Sequence, residues 1–143
     1  MTKNYKNIKL DSKYVPKKTE EYMSDEQKAY FYNILNSQRE DVIASIENGM
    51  SEISSNINID SLDGANDEAD NSSSTQQADN QMKFLDRNKK LLAKIEAMLE
   101  RLEKGTYGYS VISGEEIGLK RLLARPLATM TLEETEEIEN KER

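Results

Sequence analysis

From Phe31 to Ile57 a set of apolar residues falls in steps of four or seven, Phe31, Leu35, Val42, Ile46, Ile53 and Ile57, and with Arg39 and Gly49 in the intervening seam positions the steps are three and four. A stripe of that period is one face of an α-helix. Ser24 precedes it as an N-cap, and Gln27 completes a capping box, so the helix is predicted to start there. Gly49 is a weak point in the stripe, since an interior glycine costs about 1 kcal/mol relative to alanine. Met50 beside it is expected to supply the missing contact. A second stripe is cleaner. Leu85, Asn88, Leu92, Ile95, Leu99 and Leu102 alternate steps of three and four, and Phe84, Leu91 and Met98 widen it. Carried backward, that seam meets Gln81, Ala78, Ser74 and Asn71 and becomes polar. Asn88 within the seam either fixes register or is simply solvated.

Between the stripes lies NIDSLDGANDEADNSSS, rich in turn formers and acids. Two stripes joined by a short turn pack antiparallel. The predicted fold is therefore all-α: a long antiparallel coiled-coil hairpin spanning 23–104, with a polar, acidic tip near 58–72. About 30 helical residues at ~1.5 Å each give an arm of roughly 45 Å, too thin to bury much by itself. Residues 105–143 must then supply a small helical base domain that ends in a helix. Gly105 closes the second long helix. Residues 1–22 lack an apolar period and carry Lys3, Lys6, Lys9, Lys13, Lys17 and Lys18. They are expected to form a flexible basic arm, either a solubilising tail or a nucleic-acid contact.

The charge pattern sharpens this picture. The chain has a net charge of −7, yet no Lys or Arg occurs between Glu40 and Met82, a stretch that holds ten acids. This is either a solvated acidic loop or an acidic probe for a basic or metal-bearing partner. Nucleic-acid phosphates would repel it, so no direct sequence-specific DNA binding is expected. A hydrophobic content of 36% against 33% charged residues suits long exposed helices. Two Phe and no Trp argue against a large aromatic core. There is no apolar run of ~20 residues to span a membrane, and no leader-like apolar segment, so a cytoplasmic protein is expected.

There are no Cys and no His. That excludes disulfides, zinc thiolate sites and histidine catalysis. No nucleophile–base constellation or phosphate loop is visible, so no enzyme is expected. Nevertheless Ser110, Ser113, Thr131 and Glu134 sit at zinc-finger spacing. Ser113-Gly114-Glu115-Glu116 and Thr131-Leu132-Glu133-Glu134 both read as capping boxes, which gives three of the four a role without metal. The base core is expected from Tyr107, Tyr109, Val111, Ile112, Ile117, Leu119, Leu122, Leu123, Leu127, Met130, Leu132 and Ile138.

Three segments, EEYMSDEQKAYFYNIL, RNKKLLAKIEAMLERLEKGTYGY and SGEEIGLKRLLARPLA, resemble the DksA/TraR family of bacterial RNA polymerase regulators, in its DksA-type branch. The resemblance spans about residues 20–140. Its most specific part reads GYxxxxGxxIGxxRLxARP. Family members usually carry Cys at some or all of the positions of Ser110, Ser113, Thr131 and Glu134, so this chain resembles the zinc-independent members. The resemblance implies a protein that binds RNA polymerase and inserts its hairpin into the secondary channel, with ppGpp as co-regulator; the polar turn between the arms favours an intramolecular hairpin and so a monomer, and without Cys or His no stably bound cofactor is expected. The family tip motif D-x-x-D-x-A falls on Asp67, Asp70 and Ser72, with Ser in place of Ala. The two acids serve equally as turn residues. By position, Lys94, Arg121 and Arg125 match family residues of a ppGpp site shared with the polymerase, and Arg87 matches a base on the second arm. A further family base is replaced by Thr135. The same residues, taken without the resemblance, are surface salt-bridge partners worth at most ~1 kcal/mol each. Two other classes compete: a Gre-type transcript-cleavage factor with a β-rich base, and a scaffolding coiled coil.

Overall fold

The computed structural model describes the backbone of residues 5–63 and 68–142 and the side chains of residues 5–55 and 75–142. Two long helices, α1 (Asp25–Asp63) and α2 (Glu68–Lys104), dominate it. Two short helices follow, α3 (Leu119–Ala124) and α4 (Leu132–Glu142), and a single 3-10 turn at Tyr5–Asn7 precedes them all. No strand occurs among the described residues; Tyr109 and Glu116 form one isolated antiparallel bridge. Only four residues separate α1 from α2. The pair is an antiparallel hairpin, as the two stripes predict.

The chain divides into two compact units, one of residues 38–94 and the other of residues 1–37 with 95–143. The unit of residues 38–94 has a thin seam. Val42 and Leu85 are its only buried apolar residues among the described residues, and neither is fully buried. Gly49 has a packing role: a Cβ there would lie 2.9 Å from a Leu85 δ-methyl. The glycine lets the Leu85 side chain close over α1. Met50 does not fill the gap and is 51% exposed. Phe84 and Leu91, expected to widen the seam, are exposed as well.

The other unit holds the core. Phe31, Leu35, Ile95, Leu102, Tyr107 and Leu122 are all buried there. Each contributes roughly 1.5–3 kcal/mol of transfer free energy. The aromatic content is larger than two Phe suggested, because the rings are tyrosines. All seven tyrosines lie in ring pairs: Tyr5 with Tyr32, Tyr14 with Tyr30, Tyr22 with Tyr109, Tyr30 and Tyr107 each with Phe31. Edge and tilted ring contacts of this kind add to plain burial. Three of those tyrosines are in the basic arm, which also places Lys6 2.6 Å from Glu103. The arm thus makes specific contacts, which its lysine content concealed.

Ser24 opens α1 as expected, accepting from the Gln27 amide at 3.3 Å. The Gln27 side chain reaches one residue further back than a standard capping box, taking the Met23 N–H at 2.8 Å, and its amide nitrogen donates to the Lys17 carbonyl. Met23 at φ 55° makes this bend possible.

Candidate functional site

The four positions at zinc-finger spacing come together around one carboxylate. The Thr131 N–H donates to Glu134 Oε1 at 2.9 Å, and the Glu134 N–H donates to Thr131 Oγ1 at 3.2 Å. That is the predicted capping box at the start of α4. The Ser110 hydroxyl also bonds to the Glu134 carboxylate and is the largest cause of its lowered pKa; the Thr131 N–H and the Thr131 and Ser113 hydroxyls act in the same direction. Together they hold Glu134 down at about 2. Ser110 Oγ in turn accepts from the N–H groups of Ile112 at 3.1 Å and Ser113 at 3.3 Å. A carboxylate and three hydroxyls therefore tie the 110–113 turn to α4. Three neutral hydroxyls around one carboxylate, already engaged with donors, do not suit zinc, which takes thiolate, imidazole or carboxylate.

Ser113 does not cap a helix. Its hydroxyl accepts from the Glu115 N–H within a tight turn, and α3 begins only at Leu119. The cause is pairing: the N–H of Ser110 donates to the Glu115 carbonyl, and that of Ile117 donates to the Gly108 carbonyl. Residues 115–117 are thereby committed to a small ladder and cannot wind into a helix.

A second clamp was not visible in the sequence. The Tyr22 hydroxyl donates to the Gly108 carbonyl at 2.6 Å and accepts from the Gly118 N–H at 3.1 Å. Burial pushes the Tyr22 phenol up, so it stays a neutral donor. Gly108 sits at φ +89°, and a Cβ there would meet Tyr22 Oη at 3.0 Å and Met23 at 3.2 Å. Glycine is required on both counts. Arg101 completes the turn, donating from Nη2 to the carbonyls of Thr106 at 2.9 Å and Tyr109 at 2.6 Å.

The cationic positions differ in their freedom. Arg121 is engaged: Nε donates to the Met130 carbonyl at 3.1 Å and Nη2 to the Thr135 hydroxyl at 3.0 Å. Thr135, which stands where the resemblance expects a base, is thus the anchor of Arg121. Arg125 is exposed, and its N–H closes α3 on the Arg121 carbonyl at 2.7 Å. Lys94 and Arg87 are exposed on α2, where Arg87 lines a groove of about 470 Å³ with Asn80, Lys83, Asp86 and Lys90. Of the tip residues, Asp67 lies outside the described residues. Asp70 and Ser72 fall in the first turns of α2, and their side chains lie outside the described set.

Comparison with known proteins bears on this arrangement. The profile of the DnaK suppressor protein DksA N-terminal domain matches residues 27–102. The RNA polymerase-binding transcription factor DksA of Caulobacter vibrioides is 36% identical over 92% of this chain and 89% of its own. This chain belongs to the DksA family. The protein of the same name from Escherichia coli K12 is 30% identical over 84% of this chain and 76% of its own. The solved structure of transcription factor DksA2 from Pseudomonas aeruginosa is similar with a TM-score of 0.74, at 42% identity, over 85% of this chain and 90% of that one. The all-α hairpin is accordingly the DksA fold, here in a chain without cysteine.

Proposed function

We propose that this chain is a transcription regulator that binds RNA polymerase, and that it is not itself an enzyme. The observation that carries the reading is the extent of the match: relatives named as RNA polymerase-binding transcription factors align over 84–92% of the chain, base and hairpin together. In this reading the protein is cytoplasmic and its hairpin enters the secondary channel of the polymerase. Its tip, with Asp67, Asp70 and Ser72, stands near the active centre and alters the lifetime of promoter open complexes. The stretch from Glu40 to Met82, acidic and free of Lys and Arg, supports it. Such a probe is attracted into a basic, metal-bearing channel and repelled by duplex DNA.

ppGpp would act at a site shared with the polymerase, to which Lys94, Arg121 and Arg125 contribute, with Arg87 contacting the polymerase. Arg121 keeps only part of its guanidinium for a phosphate, because Met130 and Thr135 engage two of its nitrogens. Its contribution to alarmone binding is therefore smaller than that of exposed Arg125. The chain acts as a monomer. The test is co-purification with bacterial RNA polymerase holoenzyme, followed by open-complex lifetimes with and without ppGpp. A shortened lifetime supports the reading, and absence of polymerase binding rejects it.

A further inference from the structure

The two arms change character inside the unit of residues 38–94. Val42 and Leu85 are buried there, and Leu85 closes on Gly49. Beyond that contact, toward the connection of α1 to α2, no described residue is buried: none from 50 to 55 and none from 75 to 84. The large apolar side chains of these segments do not meet in a core. Met50, Met82 and Phe84 are each about half exposed. In the place of a core lies a groove of about 420 Å³, lined by Ser45, Asn48 and Glu52 of α1 and by Gln77, Gln81 and Phe84 of α2.

Such a face gives the helix pair little cohesion. Carboxamides and hydroxyls bond to water nearly as well as to one another, so closing the arms on them gains little. Charge works against closure. Glu47 and Glu52 of α1 and Asp79 of α2 have the same sign, and no Lys or Arg occurs between Glu40 and Met82. Helical segments of a dozen residues with no apolar face to bury are marginal in water.

We propose that the Gly49–Leu85 contact is a latch within the hairpin: beyond it, residues 50–55 and 75–84 part and rejoin while the buried core of the other unit stays closed. Gly49 suits the role, because it lets Leu85 reach the α1 backbone, and it is followed on α1 by no buried residue among those described. The opening itself needs no partner. Its use, to let an acidic probe yield to the walls of a channel, rests on the polymerase reading. The opening is measured on the free chain, so it and that reading can fail independently.

Native-state hydrogen exchange of the full chain is the first measurement. Amides of 50–55 and 75–84 should exchange, relative to their intrinsic rates, about a hundredfold faster or more than those of 95–102, because weakly packed elements open without global unfolding. Ser45→Leu/Gln81→Leu places apolar groups on both walls of the groove. It should slow exchange in the two segments about tenfold or more, since burying one aliphatic side chain is worth at least about that factor. The second measurement uses the absence of cysteine. Spin labels on Glu52→Cys/Gln77→Cys should give a broad distance distribution, and the leucine pair should narrow it. Equal protection of 50–55, 75–84 and 95–102 would overturn the latch. A single narrow distance in the chain without the leucines would overturn it as well.

Discussion

Thr131 and Glu134 hold each other by two reciprocal hydrogen bonds, from the Thr131 N–H to the Glu134 carboxylate at 2.9 Å and from the Glu134 N–H to the Thr131 hydroxyl at 3.2 Å. In a chain without thiols this pair, with Ser110 and Ser113, anchors α4 to the preceding turn. The energetic scale differs from that of a metal site. Structural zinc contributes ~10 kcal/mol or more to small modules, whereas a helix cap contributes about 1 kcal/mol. The remainder here comes from burial around Phe31, Tyr107 and Leu122.

Thr131→Ala should lower the unfolding free energy by about 1–2 kcal/mol, because a nearly buried hydroxyl that caps α4 is lost. Thr131→Ser, which keeps the acceptor, should recover most of it. Denaturant midpoints of the two variants check this. An unchanged midpoint for Thr131→Ala would show that the hydroxyl does not cap.

Acid should weaken the base through Glu134. Its carboxyl is held down at about 2 by hydrogen bonds to the Ser110 hydroxyl and the Thr131 N–H, against an ordinary value of 4.5. A depressed folded pKa gives stability that is present above the unfolded value and lost as protons bind. The loss should fall between about pH 4.5 and pH 2. Thermal melts across that window should decline less for Glu134→Gln than for the parent. Parallel slopes would mean that the carboxylate does not carry the web.

Tyr22→Phe should cost about 1–3 kcal/mol, since it leaves the Gly108 carbonyl and the Gly118 N–H without their shared hydroxyl. Gly108→Ala should be worse, combining a backbone at φ +89° with a Cβ 3.0 Å from Tyr22 Oη. Melting temperatures of both variants are the measure. Little effect from either would remove the clamp from the account.

Chelator treatment should leave the melting temperature unchanged, and elemental analysis of purified protein should find no stoichiometric zinc. A donor set of one carboxylate and three hydroxyls predicts this outcome. Stoichiometric zinc would contradict it.

What could be seen in advance depends on distance along the chain. The hairpin was legible because Leu85, Leu92, Ile95, Leu99 and Leu102 repeat at short range, and the Thr131–Glu134 box because its partners are three residues apart. Ser113-Gly114-Glu115-Glu116 had the same local pattern, but the Ile117 N–H pairs with the Gly108 carbonyl and prevents a helix there. The Tyr22 clamp joins residues 86 and 96 positions apart, and no local period encodes such a contact. Val111 and Ile112 read as core by type alone. Backbone bonds to Thr129 and Ser110 turn them outward instead. Lysines masked the arm's tyrosines, whose ring contacts decide its packing. The acids proposed for function, Asp67 and Asp70, were singled out from charge pattern and resemblance alone.

The tip is the centre of the functional account. Asp67→Asn and Asp70→Asn keep size and turn propensity while removing charge. The decisive measurement sets polymerase affinity beside open-complex lifetime for each variant. Affinity should be retained within a few-fold while the effect on lifetime falls about tenfold or more, a shift of roughly 1.4 kcal/mol in what the tip contributes. Retention of the full lifetime effect in both variants would contradict it.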